Sequence, residues 1–171
     1  HNDARRQRQM CIRDRHYGSL TFEKGELIFC EQDEELKPTL CSGYFIVDMR
    51  SLSVEDLSGG SKKILEGHLT SDDFFSVEKH KNSKLTILSS KTIKGGYLVD
   101  GSLTIKEITH PIQFELISEA GGFVSNLVFD RSKYDVKYNS DSFFKNLGDK
   151  IILDDIALEV NLYIKQMNAL D

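Results

Sequence analysis

From His16 to Lys165 apolar side chains return at every second position, and glycine-bearing breaks separate the runs. A period of two is the spacing of a strand with one face buried. The last run is the clearest, with Ile156, Leu158, Val160, Leu162 and Ile164 on one side and Ala157, Glu159, Asn161, Tyr163 and Lys165 on the other. Within Gly43 to Arg50, Phe45, Val47 and Met49 share a face. Leu85 and Ile87 do so in Lys84 to Ser90, and Tyr97, Val99, Leu103 and Ile105 in Tyr97 to Lys106, where Gly101 predicts a bulge or bend. Ile112, Phe114 and Leu116 form the next stripe, followed by Phe123, Leu127 and Phe129. Gly95-Gly96 and Gly121-Gly122 predict hairpin turns. His16 to Phe22 reads as a strand with Leu20 and Phe22 on one face, Glu23-Lys24-Gly25 as a turn, and Glu26 to Cys30 as the returning strand. About eight short strands predict a mainly β fold, a sandwich or a closed antiparallel barrel. Closure is favoured because it removes exposed edges.

One stretch breaks the pattern. Ile64, Leu65, His68 and Leu69 fall on one face of a short helix, after an interruption at Gly59-Gly60-Ser61. Ser53 can cap a turn, with Asp56 three residues on, and a further turn carries Asp72 to Phe75. The acidic run Glu31 to Pro38 is a solvated connection.

At 171 residues the chain is long enough for one domain with a real core. Its net charge of -5 argues against nucleic acid, which needs clustered Lys and Arg. No apolar run approaches the roughly 20 residues that cross a bilayer, so no transmembrane segment is expected. The cysteines Cys11, Cys30 and Cys41 show no metal-site spacing. Cys30 and Cys41 flank one loop. The reading takes them as free, partly buried thiols, with a disulfide across adjacent strands as the alternative.

The first 15 residues, HNDARRQRQMCIRDR, carry five Arg and no apolar periodicity. They resemble translated adapter read-through and are set aside as a non-native or disordered segment. A basic tail for an acidic partner is the alternative. The loss of an N-terminal strand would leave an open seam, and a signal peptide would lie outside this chain. The folded domain is then expected over 16–166, with a tail at 167–171.

Several motifs occur in the order of a known family. His16-Tyr17-Gly18 with Gly25-Glu26-Leu27, Phe45 to Leu52, Leu65-Glu66-Gly67-His68-Leu69-Thr70-Ser71-Asp72-Asp73-Phe74-Phe75, Gly101 to Ile112, and Phe129 to Tyr138 with Ser142 to Lys150 resemble the YceI-like family, in a Bacteroidota-like form. Departures are Lys79-His80-Lys81 where the family has Tyr-Pro, Ser102 for Asp, Glu107 for Gly, and a longer loop before Gly43. The resemblance implies an extended, lipocalin-like antiparallel β-barrel with one short helical segment. It implies binding, sequestration or transport of a polyisoprenoid or similar lipid in the periplasm or after secretion, without catalysis or cofactor. A homodimer is left open. The rival reading is a secreted interaction or stress-response module with a solid core.

The cavity candidates are Phe45, Val47, Leu69, Phe74, Phe75, Leu103, Ile105, Phe114, Leu127, Phe129, Phe143, Leu158 and Val160. Phe74, Phe75, Phe143 and Phe144 could equally plug one end as core. His68 with Asp72 and Asp73 invites an acid–base or metal reading, but a metal needs three or four ligands. The expectation is that His68 bonds backbone, that Asp72 or Asp73 caps a turn, and that no residue is catalytic or metal-binding. GxSxG and HExxH patterns are absent from the sequence. Asp130 and Arg131 with Tyr134 could anchor a polar head, though a solvated strand end is the plainer reading.

Overall fold

The computed structural model describes residues 5–11, 15–31, 38–140 and 152–165. Among these residues eight strands run in chain order: β1 (Arg5–Cys11), β2 (Arg15–Cys30), β3 (Thr39–Val54), β4 (Asn82–Ile93), β5 (Gly96–Ile105), β6 (Ile108–Glu119), β7 (Gly122–Asp130) and β8 (Ile152–Tyr163). Each is antiparallel to the next, and β8 pairs back to β1, closing a barrel. Helix α1 (Gly59–Thr70) follows β3, and a 3₁₀ turn, η1 (Arg131–Tyr134), follows β7. The alternation allows a sandwich or a closed barrel; the mainly β barrel with one short helix is the one that the family resemblance implies.

The alternating stripes turn inward as expected, except at Ile164, which lies past the end of β8 and is exposed. Phe45, Met49, Ile87, Val99, Leu103, Ile105, Phe114, Leu116, Phe123, Leu127, Phe129, Ile156 and Leu162 are all buried in one cluster. The predicted turn at Glu23-Lys24-Gly25 is not a hairpin. β2 passes straight through it, and the ladder to β3 shifts register between Phe22 and Lys24. A bulge absorbs the extra residue without reversing the chain. Gly25 is required there because a Cβ would collide with the Phe45 ring. The bulge expected at Gly101 lies opposite it, where β4 shifts register between Ile87 and Ser89. A Cβ on Gly101 would meet the Thr86 carbonyl of that bulged strand.

Two further expectations are corrected. Arg5–Cys11, set aside with the first 15 residues, forms β1 and pairs with both β2 and β8. Strand pairing is made by backbone groups, which any non-proline residue supplies, so an unpatterned segment can still occupy a strand position. Cys30 and Cys41, read as free thiols, form a disulfide with Cα atoms 5.8 Å apart. The long β2–β3 pairing continues to Cys30↔Thr39 and brings the two cysteines within bridging reach.

The predicted helix face is real but shallow. Leu65, His68 and Leu69 are half-buried, whereas Ile64 is 77 % exposed. Gly59 and Gly60, read as an interruption, begin the helix. α1 is held to β3 by polar contacts: the Val54 amide donates to Glu66 Oε1 at 2.9 Å and Lys62 Nζ donates to Ser53 Oγ at 3.2 Å. Ser53 therefore accepts from Lys62, and the residue preceding the helix is Ser58, whose side chain makes no capping bond.

Candidate functional site

The barrel is closed at one end by its own side chains. After α1, turns held by the Phe75 amide on the Leu69 carbonyl (3.1 Å) and the Val77 amide on the Thr70 carbonyl (2.9 Å) drive Phe74, Phe75 and Val77 inward. Phe74 and Phe75 meet edge to face at 4.9 Å. Beneath them lies Arg131, 0 % exposed, with its guanidinium 5.2 Å from the centre of the Phe74 ring. Its Nη1 donates to the Val136 carbonyl at 3.0 Å and its Nε to the Leu153 carbonyl at 3.2 Å. These bonds, with Asp154 at 3.6 Å, make burial of the charge tolerable. Arg131 is thus part of the plug, not a solvated strand end. Asp130 accepts from the amide and hydroxyl of Ser132 and so fixes η1. Tyr134 is buried, and that burial, with the Asp130 carboxylate second, raises its phenol above the usual range.

His68, Asp72 and Asp73 do not converge. The His68 ring packs edge-on against Tyr138 at 4.2 Å. Asp72 accepts from Ser76 Oγ and Lys79 Nζ, both at 2.6 Å, and these bonds, Lys79 first, hold its carboxyl below the ordinary value. Asp73 is exposed. Among the described residues, no group of three His, Cys, Asp or Glu side chains is placed to hold a metal.

The interior is solid on one side and loose on the other. Phe45, Phe74, Phe75, Leu103, Ile105, Phe114, Leu127 and Phe129 are buried core. Val47, Leu158 and Val160 are only half-buried and, with Leu20, Thr21, Phe22 and Glu159, line a largely apolar, half-open hollow of about 60 Å³ formed by residues of β2, β3 and β8. Leu69 lines a second pocket of about 30 Å³ beneath α1, beside Leu52, Val54 and Phe75. Phe143 and Phe144 lie outside the described residues. Leu20 and Phe22 were not among the cavity candidates, although their alternation with Thr21 already marked them as inward. At the mouth opposite the plug, Phe29, Tyr97 and Phe123 form a ring trio with centroids 6.0–6.4 Å apart.

The sequence pattern of the YceI-like domain matches residues 4–164. The chain belongs to the YceI-like family. No curated protein matches it. Among solved structures, Burkholderia cenocepacia BcnA is similar at 16 % identity and a TM-score of 0.70, over 95 % of this chain and 96 % of that one. The Campylobacter jejuni YCEI protein is similar at 17 % identity and a TM-score of 0.60, over 88 % and 85 %. At such identities the likeness concerns the fold. The YceI-like fold is consistent with binding a hydrophobic ligand, and no helix among the described residues is long and apolar enough to cross a membrane.

Proposed function

We propose that this YceI-like protein sequesters or carries a long apolar molecule, a polyisoprenoid or similar lipid, in the periplasm or after secretion, and that it catalyses nothing. The observation that supports this reading is the hollow at Leu20, Phe22, Val47, Leu158 and Val160, a largely apolar, half-open pocket beside the packed core. Each methylene of a ligand buried there contributes about 0.8 kcal/mol, so a chain of a dozen carbons binds well without a charged contact. A space of about 60 Å³ is smaller than the roughly 150 Å³ that admits benzene. A ligand chain larger than this space therefore enters by displacing the half-buried side chains. That loose side includes Val47, Leu158 and Val160, while the plug of Phe74, Phe75 and Arg131 sets the depth. The test is uptake of a long-chain isoprenoid alcohol by delipidated protein, read by native mass spectrometry after mild extraction. A one-to-one complex supports the carrier reading. Neither co-purified lipid nor uptake leaves the solid-core interaction module as the better account.

A further inference from the structure

The wall of the barrel is not evenly bonded. β5 and β6 pair without a break from Gly96↔Ile117 to Ile105↔Ile108, and β7 pairs with β8 along its whole length. Between β6 and β7 the ladder holds only three pairs, Ile117↔Val124, Ser118↔Phe123 and Glu119↔Gly122. The orientation of the remaining backbone follows from two bonds. The Ser118 amide donates to Gly95, so the even-numbered residues of β6 turn to β5 and the odd-numbered ones to β7. The Ile164 amide donates to Gly121, so the even-numbered residues of β7 turn to β6. Glu115 and Gln113 on one strand, and Asn126 and Val128 on the other, thus aim their backbone groups across a gap where the ladder has stopped. Pro111, also odd, has no N–H to offer, which suits a strand that is an edge on that side. η1 closes the far end of the gap, where His110 Nε2 donates to the Lys133 carbonyl at 2.8 Å.

The gap is a notch of about 370 Å³ that includes Gln113, Phe114, Glu115, Ser125 and Asn126 in its lining. Ser125 is the unexpected member. It occupies an inward position between Phe123 and Leu127, is 3 % exposed, and its Oγ has no hydrogen-bond partner among the described residues. A buried hydroxyl left unpaired is costly and calls for an explanation. Its partner across the β7–β8 ladder is Val160, which lines the apolar hollow. Residues opposite each other in such a pair lie about 5.5 Å apart, so notch and hollow adjoin through the wall.

We propose that this notch seats the polar head of the ligand, with its chain running past Val160 into the hollow. The inference rests on the carrier reading and adds the class of head group. That group is neutral and hydrogen-bonding, a hydroxyl or carbonyl, because the notch offers the Ser125 hydroxyl and unladdered backbone groups. Its charged lining residue is the Glu115 carboxylate, which repels an anionic head.

The test compares phytol, the hydrocarbon phytane and phytyl phosphate on delipidated protein. Phytol should bind about fivefold more tightly than phytane, the worth of one net hydrogen bond, and phytyl phosphate more weakly than phytol. Ser125→Ala removes a hydroxyl that has no hydrogen-bond partner among the described residues, so the variant's melting temperature should hold or rise. It should lose the preference for phytol while binding phytane as before. Glu115→Lys, on the outer rim, should favour the phosphate instead. Equal binding of phytol and phytane, a preference that survives Ser125→Ala, or an unaltered order in Glu115→Lys overturns the head site and spares the hollow. Failure of all three ligands to bind overturns the carrier reading with it.

Discussion

Filling the hollow should stabilise the protein and weaken its binding. Val47 and Val160 are half-buried and face the same space of about 60 Å³ between β2, β3 and β8. Changing both to Ile adds two methylenes, each worth about 0.8 kcal/mol if it is accommodated, or about 1.6 kcal/mol together. For a domain of this size that value predicts a rise in melting temperature of about 3–6 °C. Thermal unfolding followed by circular dichroism reads that rise, and a lipid-uptake assay on the same samples should show weaker binding. Opposite signs for stability and binding are the mark of a site kept loose for its ligand. A lower melting temperature would refute the reasoning. It would mean that the space is already filled and that the added methylenes overpack it, at about 1–3 kcal/mol.

Three other outcomes are expected. The Cys30–Cys41 disulfide closes a loop with a sequence separation of 11, which the chain-entropy relation values at about 2.8 kcal/mol. Dithiothreitol should lower the melting temperature by about 6–11 °C in the wild type and leave the Cys30→Ser/Cys41→Ser protein unmoved. Lys106 and Glu107 turn the chain between β5 and β6 with φ of 51° and 64°, a conformation that suits glycine, so Glu107→Gly should raise the urea midpoint by the equivalent of about 1 kcal/mol. The Asp72 carboxyl is held below its unfolded value by Lys79 and Ser76. Its stabilisation is therefore complete above the ordinary carboxylate range and is lost as pH falls below it. In acid titrations of stability, the wild type and Asp72→Asn should differ at neutral pH and converge toward pH 2.

The period-two stripes were legible because burial on one face is a local demand that each strand meets in its own sequence. Phe45, Val99, Phe114, Leu127 and Ile156 sit where alternation put them. The features that escaped depend on partners remote in sequence. Glu23-Lys24-Gly25 carries turn residues, but whether it reverses the chain or bulges is decided by β3, whose Phe45 ring needs the space beside Gly25. β1 lacks an apolar period, and its pairing to β2 and β8, made by backbone groups, leaves no side-chain pattern in its sequence. Arg131 resembled a surface charge until Val136, Leu153, Asp154 and Phe74 came around it. At the candidate site, alternation marked Leu20, Phe22, Val47, Leu158 and Val160 as inward, yet it could not separate them from the filled core. That distinction is one of volume, set by how eight strands close. The β6–β7 notch left one trace, Pro111, a residue that cannot donate to a central ladder.

The central claim is that an apolar chain lies against the loose side of the barrel. Methyl-resolved NMR of delipidated protein, titrated with a long-chain isoprenoid alcohol, tests it directly. The methyl signals of Leu20, Val47, Leu158 and Val160 should move and show contacts to ligand protons, while those of Ile87, Val99 and Leu116 in the packed core stay in place. Shifts confined to outward-facing methyls such as Leu88 and Val128, with no ligand contacts from the hollow, would contradict the account.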